Sequence, residues 1–201
     1  MKKNNVAKYF SQKSFSVLDL ICIVVAVIGA IVGTVVWGGG PIGFGLLGIS
    51  VVILIISRST RAKDEEVDKE LERLLNENGI DPAAKNSVSG FDLEATVMRG
   101  KDQKLRSERY FVTSFDFLED KITVKSLCID LINGTLTENV YEISKGEGVS
   151  VIETAVPKVS NKKSCRLCCE SFGGAGVPIS LDDLESSKLI EKVCALGEKK
   201  N

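Results

Sequence analysis

No histidine occurs in the 201 residues, which removes the side chain that most often serves as general base near neutral pH. The chain also lacks a P-loop, a dinucleotide-binding glycine fingerprint, H-E-x-x-H and G-x-S-x-G. The glycine groups at 38–40 and 173–176 are without the helix-opening context that a phosphate loop requires. The chain is therefore read as a non-enzyme with no cofactor. A basic excess is missing too, since Lys and Arg number 26 against 27 Asp and Glu. Setting aside Lys2, Lys3, Lys8, Lys13 and Asp19 leaves the remainder mildly acidic, which argues against a nucleic-acid-binding domain. No evenly spaced cysteine framework is present either. Three of the six cysteines crowd together at Cys165, Cys168 and Cys169, a pattern unlike an extracellular disulfide scaffold. A zinc site needs four ligands, and no second cysteine pair at metal spacing completes one. No metal is expected, and inward thiols at Cys165 and Cys169 beside Leu167 are the simpler account.

Charge is scarcest between residues 15 and 56. Residues 15–36 break their apolarity only at Ser16, Asp19 and Thr34, and residues 42–56 carry no charge at all. A helix rising about 1.5 Å per residue crosses roughly 30 Å of hydrocarbon with about 20 apolar residues. The first run meets that length, and the second meets it only by taking in part of Trp37-Gly38-Gly39-Gly40-Pro41. The expectation is an antiparallel transmembrane hairpin, 15–37 and 40–57. Lys2, Lys3, Lys8 and Lys13 precede it and Arg58, Arg61 and Lys63 follow it. Positive flanks stay inside, so a multi-pass cell-membrane protein with cytoplasmic N- and C-termini is expected. A secretory signal fits less well because the apolar stretch outruns a 7–15-residue h-region, and bulky Ile21 before Cys22 argues against a lipoprotein signal. Gly29 and Gly33 on the first run, and Gly45 and Gly48 on the second, are candidates for close helix packing. Asp19 sits about one turn in, within reach of headgroups, and the sparse polar lining argues against transport.

Beyond a basic segment at 1–14 and the hairpin at 15–57, residues 58–79 read as a charged helical stalk. Val67, Leu71 and Leu74 form a narrow apolar stripe there, and Gly79 is placed to end the helix. A linker follows at 80–90. From Phe91 the period falls to two, and seven short strands are expected across a domain at 91–197, with a four-residue tail. A parity shift across Lys125-Ser126 suggests a β-bulge, and Asn133-Gly134 signals a hairpin turn. Ser180 is placed to cap a final helix carrying Leu189, Val193 and Leu196.

The segment Arg106-Ser-Glu-Arg-Tyr-Phe-Val-Thr-Ser-Phe-Asp-Phe-Leu-Glu-Asp-Lys-Ile122, with the closing helix from Leu181, resembles bacterial PH-like domains (the pleckstrin-homology superfold) carried behind an N-terminal transmembrane hairpin. The resemblance implies an α+β fold, a seven-stranded, partly open antiparallel β-barrel closed by a C-terminal helix. It also implies a non-catalytic scaffold for lipids or peptides. Arg99, Lys101, Lys104, Arg106 and Arg109 lie in the loop region where such domains hold phosphates, and Lys101, Lys104, Arg106 and Arg109 are the candidate ligand-binding residues, although Asp102 and Glu108 interrupt the cluster. The expected function is a membrane protein presenting a cytosolic binding domain to a protein partner or to membrane lipids of the adjacent anionic leaflet. The alternative is a membrane assembly protein that forms a homo-oligomer through its hairpin, with the domain as a structural cap.

Overall fold

The computed structural model describes residues 5–11, 17–35, 41–59, 62–156, 159, 162–174 and 176–197. The glycine hinge at 37–40, half of the N-terminal basic segment (1–4 and 12–14) and the tail lie outside them. The chain divides into two compact units, residues 11–63, and residues 64–201 together with 4–10.

The first unit is built from two helices, α2 (Val17–Val35) and α3 (Pro41–Ser59), each of 19 residues. They pack against one another. The residues between them reach roughly 20 Å, short of the ~28 Å length of either helix, so the pair runs antiparallel. Cys22 and Ser50 are buried. Leu20, Ile21, Ile28 and Ile31 on α2, and Ile49, Val52, Ile55 and Ile56 on α3, remain exposed. Among the described residues no helix is long and apolar enough to cross a membrane. Asp19 falls inside α2 and Arg58 inside α3. The uncharged stretch within each helix therefore rises only about 24–26 Å, against roughly 30 Å of hydrocarbon. This corrects the transmembrane hairpin, and with it the multi-pass cell-membrane location, the membrane lipids as partners, and both versions of an integral membrane function.

The second unit starts with a short helix, α1 (Asn5–Ser11), and α4 (Asp64–Glu77), which buries Val67, Leu74 and Leu75. Nine strands follow: β1 (Ser87–Phe91), β2 (Val97–Arg99), β3 (Leu105–Ser107), β4 (Arg109–Phe117), β5 (Lys121–Asp130), β6 (Thr135–Ser144), β7 (Ser150–Ala155), β8 (Lys163–Cys168) and β9 (Val177–Ile179). A closing helix, α5 (Leu184–Gly197), ends the fold. The strands form an antiparallel sheet β1-β4-β5-β6, a second sheet β7-β8-β9, and the separate hairpin β2-β3. The core gathers Val88, Phe111, Phe115 and Val124 of the first sheet, Leu167 and Ile179 of the second, and Ile190 and Val193 of α5.

These sheets are open, which corrects the expected barrel and the PH-like fold assignment. Two local features account for it. β9 carries Pro178, which has no N–H to give a ladder, and its carbonyl accepts a hydrogen bond from Thr113 Oγ1 at 2.9 Å. Between β6 and β7 the chain turns through Gly146 and Gly148, both at positive φ, and the Gly148 N–H donates to the Gly197 carbonyl at 2.7 Å. The end of α5 thus occupies the corner where β6 and β7 would otherwise meet. A Cβ on Gly197 would collide with Val149, so that corner admits only a glycine.

No bulge interrupts β5, which keeps one register with β4 from Ile122 to Asp130. Ile122 and Val124 face the main core, while buried Ile129 lies outside it. The parity shift marks a strand buried on both faces. The cap of α5 also differs from the expectation: Asp183 accepts from the Ser186 N–H at 2.7 Å and Ser186 Oγ at 2.6 Å, three residues beyond Ser180.

Candidate binding cleft

The basic segment expected as a loop is the β2–β3 hairpin. Its turn closes with Gly100 N–H donating to the Lys104 carbonyl at 2.9 Å. Arg106, on β3, is only 3% exposed at its side chain. Its Nε and Nη2 donate to the two carboxylate oxygens of Asp68 on α4 at 2.7 and 2.6 Å. Nη1 and Nη2 donate to the two oxygens of Asp102 at 2.9 and 2.8 Å. One guanidinium fork thus holds two carboxylates bidentately, the geometry in which arginine is strongest. Beside it, Asp64 accepts from the Tyr9 hydroxyl at 3.0 Å and from the Lys101 N–H at 2.7 Å. A Cβ on Gly100 would lie 2.6 Å from Arg106 Nη1 and from Asp102 Oδ1, so glycine is what lets the turn approach this cluster. The hydrogen bond from Arg106 holds Asp102 down to about 2, and the bonds to Asp68 and then Asp102 raise Arg106 above its ordinary value.

Tyr9 provides an alkaline signature of this cluster. Burial, then its hydrogen bond to Asp64, pushes its hydroxyl from 10.0 up to about 12. The folded state therefore holds that proton more tightly than the unfolded state. The stabilisation is complete below pH 10 and is lost as pH rises through about 12. Wild-type protein is expected to lose about 2 kcal/mol more unfolding free energy across that window than Tyr9→Phe. Denaturant titrations of both proteins at several alkaline pH values check this, and equal alkaline losses would refute it.

Between β1, the β2–β3 hairpin and the second sheet runs a cleft of about 1220 Å³. Phe91, Tyr110, Phe111 and Ile179 contribute apolar lining, with the Phe91 and Tyr110 rings edge to face at 5.3 Å. The charges along it divide unevenly. Asp68 is held by Arg106, Asp182 pairs with Lys162 at 2.9 Å, Asp92 faces Arg166 at 3.7 Å, and Asp183 caps α5. Lys163 pairs with Glu153 on the neighbouring strand. Arg99 and Lys104 line the same cleft, are exposed, and make no ion pair among the described residues, although the Lys104 charge helps to hold the Asp102 carboxyl down. Every acid of the cleft is thus committed, and two cations are left over. Cys165 also lines the cleft; burial and then the negative charges of Glu153 and Asp182 push its thiol up. It therefore stays protonated near neutral pH, the inert state of a thiol. The described residues contain no cluster of three or more acids and cysteines placed to hold a metal ion.

The four basic candidates are separated by this arrangement. Lys104 lines the cleft and Arg106 is consumed in the carboxylate cluster. Lys101 is exposed in the turn, and Arg109 lies at the start of β4 opposite Asp130. Arg99 belongs with Lys104. Sequence reasoning passed over Tyr9, Asp64 and Asp68. The available signal was the i, i+4 spacing of Asp64 and Asp68 on a helix otherwise read as a solvated stalk. Of the glycine candidates, Gly29 is buried on α2. A Cβ at Gly45 or Gly48 would meet nothing within 4 Å, so neither holds a close approach among the described residues. Gly33 lies in α2. Compared with known proteins, the chain matches no family model, no curated protein and no solved structure, so no relative stands behind the PH-like resemblance.

Proposed function

We propose that the second unit is a non-catalytic binding module whose cleft takes an acidic ligand with apolar side groups. The observation that carries this reading is the charge balance of the cleft. Its carboxylates are engaged by internal ion pairs or hydrogen bonds, while Arg99 and Lys104 are exposed and outside any ion pair among the described residues, beside an aromatic and aliphatic lining. An acidic ligand supplies the missing partners, and the lining takes its apolar groups. A catalytic reading has less behind it: histidine is absent, and the cleft's one thiol is held protonated.

The test uses the full chain and a fluorescein-labelled hexapeptide alternating Glu and Val, with its Lys/Val counterpart as control. The acidic peptide is expected to bind, more tightly at low salt. Arg99→Glu with Lys104→Glu is expected to weaken it at least tenfold. Both positions are exposed, so the double variant keeps its fold. Equal binding of the two peptides, or no binding of either, refutes the reading.

A further inference from the structure

We infer that the occupant of the cleft is an extended acidic peptide segment of a partner protein, added as an extra antiparallel or parallel strand to the free edge of β1. This rests on the binding reading above and specifies how the ligand is held. The argument starts from main-chain accounting. β1 pairs with β4 so that Ser87 opposes Ser114 and Phe91 opposes Tyr110. Just beyond the two ends of this ladder, Phe115 N–H donates to the Asn86 carbonyl and Asp92 N–H donates to the Arg109 carbonyl, both at 2.9 Å. In an antiparallel pair the residues that exchange hydrogen bonds alternate along the strand. Asn86, Val88, Gly90 and Asp92 therefore turn their peptide groups toward β4. Ser87, Ser89 and Phe91 turn theirs away from it. The Ser87 N–H is taken by the Ala84 carbonyl at 3.2 Å. The N–H and C=O groups of Ser89 and Phe91 have no main-chain partner among the described residues, and both residues line the cleft.

An unpaired edge bordering a cleft is a template for strand addition, in which main-chain hydrogen bonds supply affinity and side chains supply specificity. β9, which also borders the cleft, is closed to this use. On β9, Pro178 offers no N–H and its carbonyl is occupied by Thr113. β1 thus offers an edge that can accept a strand, and Arg99 and Lys104, neither in an ion pair among the described residues, line the same cleft. A strand laid there alternates its side chains, so acidic groups at every second residue meet the two cations and the intervening apolar groups meet the lining.

The experiment compares the Glu/Val hexapeptide with two N-methylated versions, one methylated at the Glu residues and one at the Val residues. An added strand uses the N–H groups of one parity only. One methylated peptide is expected to bind at least tenfold more weakly than the parent and the other within about twofold of it. In the complex with the parent peptide, the amides of Ser89 and Phe91 are expected to exchange at least tenfold more slowly, while those of Val88 and Gly90, already bonded to β4, change little. If the parent peptide binds with the Arg99 and Lys104 dependence given above but both methylated forms bind equally well, strand addition is overturned and the cleft reading stands. If the parent peptide does not bind, both fall.

Discussion

Replacing Phe115 with alanine is expected to lower the unfolding free energy of the second unit by about 4 kcal/mol. Phe115 is fully buried at the centre of the core, and its β5 neighbour Val124 is fully buried too. Removing a core phenylalanine ring costs about 3–5 kcal/mol, depending on how far the surroundings collapse into the space. Collapse is restricted here because one wall of the site is a hydrogen-bonded sheet and the others are a second sheet and α5. Those elements shift only as units, so the upper half of the range applies. Phe117, on the same strand and only half-buried, packs at the core's margin under Lys192, whose Nζ lies 3.9 Å from the ring centre. Its alanine variant is expected to lose about 1–2 kcal/mol. Urea titrations that follow exchange of β4 and β5 amides measure both without interference from the helical unit. A Phe115→Ala loss below that of Phe117→Ala would show that the two sheets close over the vacancy.

The strands were legible where one face alone is buried. Phe115 and Phe117 alternate with Ser114 and Asp116, and β4 runs from Arg109 through Phe111 and Thr113 to both, with buried Val112 the one break in the alternation. Asn133-Gly134 marks the β5–β6 hairpin, with Gly134 at positive φ. Legibility failed where a second element covers the other face. Ile129 and Leu131 are as buried as Val124, and a strand buried on both sides gives a pattern that looks like a slipped register. The β2–β3 hairpin was missed because its strands are three residues long, too short for a period to show. Closure into a barrel was beyond the sequence pattern altogether. It is decided by single groups, the absent N–H of Pro178 and the hydrogen bond between Gly148 and Gly197, that leave no trace in hydropathy. Membrane spanning failed for a related reason. Apolar runs foretell that helices form, but whether one is long enough depends on where Asp19 and Arg58 fall relative to its ends.

For the site, the sequence supplied the basic residues but not their fates. Arg99, Lys104 and Arg106 look equivalent in a loop of mixed charge. The difference between a free cation and a consumed one depends on which acids the fold brings near. Asp102 is four residues from Arg106 and was visible as an interruption of the cluster, whereas Asp68 lies 38 residues away on a helix. Composition treats those carboxylates as a penalty on ligand binding. In three dimensions they remove only Arg106 and leave Arg99 and Lys104 available.

Replacing Arg106 with alanine is expected to cost about 3 kcal/mol, the second large effect in this protein. The side chain is 3% exposed, while Asp68 and Asp102 are 51% and 37% exposed. Breaking a fully buried pair costs about 3–5 kcal/mol, much of it from the charge left behind without water. Here the stranded carboxylates regain solvent, so that part is reduced. The remainder comes from four charge-assisted hydrogen bonds and the space left by a buried side chain. Arg106→Lys keeps the charge but replaces a planar fork with a point donor that cannot bridge both carboxylates bidentately, and about 1–2 kcal/mol is expected. Asp68→Asn leaves the guanidinium bonded to Asp102 and is expected to cost about 1 kcal/mol. If the three losses fall in this order, the fork is what ties α4 to the β2–β3 hairpin. Losses that are equal for Arg106→Ala and Arg106→Lys would assign the effect to geometry alone, and a negligible loss for Arg106→Ala would mean that the desolvation of Arg106 cancels its bonds. The Arg99 and Lys104 side of the cleft depends on the same tie, because both residues sit on the hairpin that Arg106 anchors. Arg106→Ala is therefore expected to weaken acidic-peptide binding even though four of the five guanidinium N–H donors are already taken by Asp68 and Asp102.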